Sequence, residues 1–167
     1  HSQRGLAHFT EHMCFNGTKT FSGNKMIDYL QKYGITFGKE INAYTGFDQT
    51  VYMIQLPADN VSLLDTGMLI IEDWAHNVTF DSKEIDKERG IITEEWRMGL
   101  GADDRMMKKW FPVVFKNSKY AERLPIGDID VIKNAPYDTL RAFYKSWYRP
   151  NLQAVVVVGD IDVKKME

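Results

Sequence analysis

Apolar positions recur along this chain at several spacings, and each spacing implies a different element. From Leu6 to Phe15 apolar residues are mixed with His and Glu as in a short helix, which Asn16-Gly17 would stop. Ser22 is placed to cap a second helix in which Met26, Ile27, Leu30 and Tyr33 share a buried face, with Gly34 at its end. Ile35 to Leu56 reads as strands. Val51, Met53 and Gln55 alternate with Tyr52, Ile54 and Leu56, and Tyr44-Thr45-Gly46-Phe47-Asp48 supplies turn chemistry between two of them. Pro57 closes that run.

Asp59 or Asn60 is placed to cap a third helix through Leu63, Leu64, Met68, Ile71 and Trp74. A fourth starts at Asp81 or Ser82, has Glu84 in position for a capping box, and runs to Met98 before Gly99-Leu100-Gly101. An amphipathic stretch from Asp103 is interrupted at Pro112, and Lys116 to Asp128 reads as a long loop. Pro136, as a first helical residue, opens a helix to Tyr148, and the β-branched run Leu152 to Val158 reads as a buried strand. The expected fold is α+β, a largely antiparallel sheet covered by helices.

Composition narrows the function. The 167 residues are 44% hydrophobic and 26% charged, enough for one domain with a sizeable core. Twenty-one Lys and Arg against 23 Asp and Glu give a net charge of −2, without the basic excess of a nucleic-acid binder. No run approaches the ~20 apolar residues of a membrane span. The single cysteine, Cys14, excludes an intrachain disulfide and a cysteine-based zinc knuckle, so a bound metal must be held by His and carboxylates. Helix-like sequence begins soon after His1, and the chain stops just beyond the Val158 run. Both ends look cut, so residues 1–167 are expected to be one domain taken from a longer protein.

The candidate chemistry lies in His8-Phe9-Thr10-Glu11-His12. On a helix, residues four apart lie about 6 Å apart along one face, so both imidazoles can reach one metal ion. Glu11 flanks that face, where a carboxylate can take a proton from a metal-activated water. The H-x-x-E-H order inverts the commoner H-E-x-x-H zinc motif and keeps its spacing logic. A catalytic zinc wants three protein donors and one open position, so a third donor is expected from another element.

The fourth helix offers it. At 100° per residue, Ile85, Ile91, Ile92, Trp96 and Gly99 span an arc of about 140°, and Glu88 and Glu95 fall inside it. Buried carboxylates are costly unless paired or bound to metal. Pairing with Arg or Lys of a neighbouring helix is the competing explanation. Glu84, also in the arc, sits in the first turn, where capping and the helix dipole account for it. Cys14 reads as packed core, His76 as surface, and Phe15 as either cleft or core.

The run Gly5-Leu6-Ala7-His8-Phe9-Thr10-Glu11-His12-Met13-Cys14-Phe15-Asn16-Gly17-Thr18 resembles the pitrilysin/insulinase family of inverted-motif zinc peptidases. The likeness continues in Asn42-Ala43-Tyr44-Thr45, Gln49-Thr50-Val51-Tyr52 and Asp86-Lys87-Glu88-Arg89-Gly90-Ile91-Ile92-Thr93-Glu94-Glu95. It returns in Trp147-Tyr148-Arg149-Pro150-Asn151 and Val158-Gly159-Asp160, in the style of bacterial cell-envelope members. The resemblance implies a metallohydrolase domain like that of the mitochondrial processing peptidase, one zinc per chain, and a periplasmic or envelope location. It implies His8 and His12 as zinc ligands, Glu11 as general base, Glu95 as third ligand and Glu88 as its supporting carboxylate. Asn42, Ala43 and Tyr44 match the edge strand on which a peptide is laid, and Phe15 is a further candidate for the cleft. A peptide or unfolded polypeptide is the implied substrate, with a second half of the protein or a partner subunit closing the cleft. A non-catalytic, peptide-binding homologue is the alternative. One count departs from the family: its interval from second histidine to ligand is nearer the 76 positions to Glu88 than the 83 to Glu95, whereas the order of the two glutamates favours Glu95.

Overall fold

The computed structural model describes residues 2–166, so the reading of His1 lies outside the described residues. Helices dominate. In chain order they are α1 (Leu6–Met13), α2 (Lys25–Gln31), α3 (Val61–His76), α4 (Ser82–Met98), α5 (Ala102–Val114), α6 (Ile129–Asn134), α7 (Tyr137–Trp147) and α8 (Val163–Met166). Between α2 and α3 lies one antiparallel hairpin, β1 (Ile41–Thr45) and β2 (Thr50–Ile54), in a register that sets Ala43 opposite Tyr52 and Thr45 opposite Thr50. The fold is α+β, and the sheet among the described residues is this pair alone.

Helix α1 is the centre of the packing. Leu6, Phe9, Thr10 and Met13 follow the i, i+3, i+4, i+7 spacing of a buried stripe, and all four are sealed from solvent. That stripe packs against α4 and α7, while β1 and β2 lie against another side of the helix. Two cores result. One gathers Leu6, Phe9 and Met13 with Phe80, Ile85, Ile92, Ile132 and Leu140; the other gathers Cys14 with Met26, Leu30, Ile41, Ile70 and Trp74. The Trp74 indole N–H donates to the Cys14 carbonyl at 3.0 Å and satisfies the C-terminal end of α1. Buried Asp73 accepts from the Thr18 hydroxyl at 2.5 Å, the Thr20 N–H at 3.1 Å and the Asn77 amide at 3.1 Å, and so ties the loop after α1 to α3.

The start of α1 is sutured to the loop before α6 by two glycines. Gly5 (φ +89) and Gly127 (φ +82) lie backbone to backbone: a Cβ on Gly127 would fall 2.3 Å from the Gly5 Cα. Only glycine permits both the positive φ and the approach.

Several sequence expectations hold. Asn60 caps α3 by accepting from the Leu63 N–H, and Asp81 caps α4 by accepting from the Lys83 and Glu84 N–H groups. Glu84, expected to close a capping box, pairs instead with Lys87 at 2.7 Å. Others are corrected. Leu152–Val158 is no buried strand. Pro150–Leu152 forms a 3₁₀ turn, and the residues after it run extended with Val156 at 82% and Val158 at 90% exposure. A strand is held by ladder bonds to a neighbour, and no described strand lies alongside. Residues 35–40 form no ladder strand: Phe37 makes an isolated bridge to Ile41, and 38–40 are a turn.

Helix α2 begins after Asn24, not Ser22, and Tyr33 lies beyond its end, largely exposed. Pro112 does not interrupt α5. It stands exposed in the last turn, with Lys108 one turn before it also exposed, and the helix runs on to Val114. The expected loop Lys116 to Asp128 holds a 3₁₀ turn at Lys119–Glu122, and the short α6 follows it, where the sequence pattern assigned no element. The Arg89 guanidinium satisfies its C-terminal end, donating to the Ile132 and Ala135 carbonyls at 2.5 and 2.6 Å. Pro136 sits just before α7 rather than as its first residue.

Candidate metal centre

With Leu6, Phe9, Thr10 and Met13 turned inward, helical geometry sets His8, Glu11 and His12 along the flank of α1 that faces α4 and the hairpin. The two imidazoles meet edge to face with ring centroids 4.7 Å apart. On α4, Ile85, Glu88 and Ile92 are buried at i, i+3, i+7, so the first glutamate of the pair lies within the core-facing stripe. Two turns later Glu95 emerges half-exposed at the edge of the same face. Ile91, expected within that stripe, is 53% exposed.

The two glutamates make different contacts. The Glu88 carboxylate lies 2.9 Å from Nδ1 of His12. The Glu95 carboxylate lies 3.6 Å from Nε2 of His8 and 3.4 Å from Nε2 of His12. One donor atom each from His8, His12 and Glu95 lies within 4.8 Å of the other two. Among the described residues neither glutamate is paired with Arg or Lys of a neighbouring helix, the competing explanation for an acidic stripe. Two imidazole nitrogens and one carboxylate oxygen, open to a cleft, match in kind and number what a catalytic zinc takes from a protein. A carboxylate on the remote nitrogen of a ligating histidine is the usual outer support of such a set.

The electrostatics of the two histidines differ. Burial, reinforced by the neighbouring His12, lowers the His8 pKa against the pull of Glu95, favouring the neutral imidazole that has a lone pair to give. Burial works the same way on His12, but the hydrogen bond and charge of Glu88, with Glu95 and Glu11, outweigh it and raise its pKa. Glu11 is 9% exposed. Burial raises its carboxyl pKa, opposed by the Thr45 hydroxyl and by His12. That hydroxyl, at the end of β1, donates to Oε2 of Glu11.

A cleft of about 310 Å³ opens over these groups, lined by His8, Glu11, Glu95, Ala43, Tyr44, Thr45, Pro125 and Ile126. The sequence-predicted residues His8, Glu11, His12, Glu88 and Glu95 are thus brought together, and Ala43 and Tyr44 border the same space. Asn42 is not part of the cleft wall, and its side-chain oxygen accepts from the Ala43 N–H at 2.9 Å. Phe15 packs edge-on against Phe37 and Trp74, at 5.0 and 5.4 Å, and belongs with the second core. Cys14 is fully buried, and His76 is a surface residue beside Glu72. Sequence reasoning missed Thr45, Pro125 and Ile126 as site residues. Thr45 stood within the quoted Asn42–Thr45 run; the other two carried no local signal.

The profile of the insulinase family (peptidase family M16) matches residues 1–108, well over half of the chain. The chain belongs to the insulinase family. A second profile, of the peptidase M16 inactive domain, matches residues 134–167. Among insulinase-family relatives, the probable zinc protease PqqL of Escherichia coli K12 is 43% identical over 164 residues, 98% of this chain and 18% of that protein. A PQQL-like zinc protease of Arabidopsis thaliana is 37% identical over 95% of this chain and 16% of its own length. The crystal structure of the periplasmic protease PqqL from Escherichia coli superposes with a TM-score of 0.94 over 99% of this chain and 18% of that one. The ferredoxin protease FusC, solved with Arabidopsis ferredoxin, is 30% identical with a TM-score of 0.82, over 90% of this chain and 17% of that one. The chain therefore spans less than a fifth of the length of these relatives.

Proposed function

We propose that this chain is the zinc-bearing part of a metalloendopeptidase, with His8, His12 and Glu95 as the ligands of one zinc ion and Glu11 as the general base. The observation that carries the reading is the convergence of one ring nitrogen each of His8 and His12 on α1 and one carboxylate oxygen of Glu95 on α4 within 4.8 Å, beside a buried Glu11 in the same cleft. When bound, zinc supplies a positive charge that acidifies water and polarises a carbonyl oxygen. Glu11 accepts the proton of the attacking water and returns it to the departing amine nitrogen. Glu88 holds the Nδ1–H of His12 and so keeps Nε2 turned toward Glu95. The substrate is a peptide or unfolded polypeptide laid along the Asn42–Tyr44 edge of the hairpin, and a second half of the protein, or a partner subunit, closes the cleft over it. The bacterial periplasm or envelope is the proposed location, supported by the periplasmic Escherichia coli relative.

The test uses the full-length protein, elemental analysis and a quenched fluorescent peptide. One zinc per chain is expected, lost in His8→Ala and in His12→Ala. Glu11→Gln should retain zinc and lose hydrolysis, because a general base is not a ligand. Tight zinc binding that survives loss of both histidines would remove the site. Metal retained with no hydrolysis in the unmodified protein would favour the non-catalytic, peptide-binding alternative.

A further inference from the structure

The hairpin does more than border the cleft. Thr45 closes β1 directly opposite Thr50, with the two hydroxyl oxygens 3.3 Å apart, and its Oγ1 donates to Oε2 of Glu11. The turn beyond it is clamped from outside. Phe47 stacks on Phe111 of α5 at 5.8 Å and leans on Tyr120 at 5.0 Å, and the Tyr120 hydroxyl donates to both oxygens of Asp48, at 2.7 and 2.8 Å. Thr45 is therefore held by the ladder on one side and by an aromatic clamp on the other, two sets of contacts made outside the helix that carries Glu11.

A glutamate side chain has three soft torsions, and the last, which rotates the carboxylate, is broad. Burial of Glu11 leaves few groups able to choose its orientation. We propose that Thr45 is a positioning residue for Glu11: its hydroxyl, held by the clamped hairpin, pins Oε2 and so presents Oε1 in one place to the attacking water. This rests on the reading of Glu11 as general base. A threonine suits the task, because its β-branched side chain is stiff about χ1 and places the hydroxyl without a search among rotamers. The same hydrogen bond offsets part of the cost of a carboxylate in a water-poor site.

The experiment compares Thr45→Val, Thr45→Ser and Glu11→Gln in the zinc-loaded, full-length protein, reading kcat, KM and zinc content on one fluorogenic peptide. Valine keeps the shape and β-branch and removes only the donor. Thr45→Val is expected to lower kcat by about 10- to 100-fold, the loss typical of a misplaced reacting group. Its KM should stay within about twofold and its zinc content should not change, while Thr45→Ser, which restores the donor, recovers most of kcat. Wild-type kcat in Thr45→Val, a parallel loss of zinc, or a serine variant no better than valine would reduce Thr45 to an ordinary strand residue. Undiminished hydrolysis by Glu11→Gln would overturn the general-base reading and this proposal with it, so the two failures are told apart by that arm.

Discussion

Replacing Gly127 by alanine should cost far more than a glycine-to-alanine change ordinarily does. A Cβ there would lie 2.3 Å from the Gly5 Cα, 2.5 Å from the Gly5 N and 2.8 Å from the Arg4 carbonyl carbon. All three are backbone atoms, so no side chain can rotate away. The φ of +82° adds the left-handed penalty, about 1–2 kcal/mol for an L-residue. Forced separation of packed backbone adds about 1–3 kcal/mol. The control is Gly23, which also has a positive φ, +58°, but has nothing within 4 Å of the new methyl. Gly23→Ala should therefore show only the conformational part. Urea unfolding followed by tryptophan fluorescence, and thermal melting, would measure both, each kcal/mol being worth about 2–4 °C for a chain of this size. Gly127→Ala should fall below Gly23→Ala by at least about 1 kcal/mol, the lower end of the packing cost. Equal losses would show that Gly5 and Gly127 are not in close approach and that the start of α1 is not sutured to the loop that carries Pro125 and Ile126.

Three further outcomes are expected. Glu88→Gln should weaken zinc binding by about 10- to 100-fold, as loss of an outer support does; Glu95→Gln should weaken it more, and the reverse ranking in competition with a chromogenic chelator would mean that the interval count had identified the ligand correctly. Burial pushes the Cys14 thiol up from 9.0 to about 12, so it should resist Ellman's reagent at pH 8 until the chain unfolds. Because the unfolded chain loses that proton first, stability should also fall as pH rises from 9 toward 12, and a thiol that reacts in the folded protein, or a flat alkaline profile, would contradict it. Finally, residues 1–167 alone should cleave an unfolded peptide far more slowly than the full-length protein at equal zinc occupancy, since a peptide on the hairpin edge would keep one face in water; comparable rates would show the site to be self-sufficient.

What could be read without coordinates was what is local. Asn60 and Asp81 mark their helices because a cap is a bond to an N–H two or three residues away. The H-x-x-E-H run and the seven-residue interval of Glu88 and Glu95 are likewise statements about single helices, and the structure brings those five side chains together. What depended on distant partners was lost. The valines before Val158 have strand composition, yet no local pattern reveals whether a neighbour will hold the backbone. Helix α6 is six residues long and closed by Arg89, more than forty positions away. Pro112 looked like a break because its distance from the helix end was not known. Thr45, Pro125 and Ile126 reach the cleft only because the hairpin and a later loop fold back over α1, and nothing in their own neighbourhoods announces it.

The extended residues after Pro150–Leu152 bear on how the chain behaves at high concentration. Residues 154–158 are one alanine and four valines in succession, without charge, proline or glycine, and each of the four valines is more than a third exposed. A backbone laid out this way is a template for any strand that arrives, including the same five residues of another molecule. Solutions of this chain should therefore show concentration-dependent association seeded at Val156, the middle of the run. A lysine there would act as a gatekeeper, its charge repelling a second copy while leaving both cores and the candidate metal centre untouched.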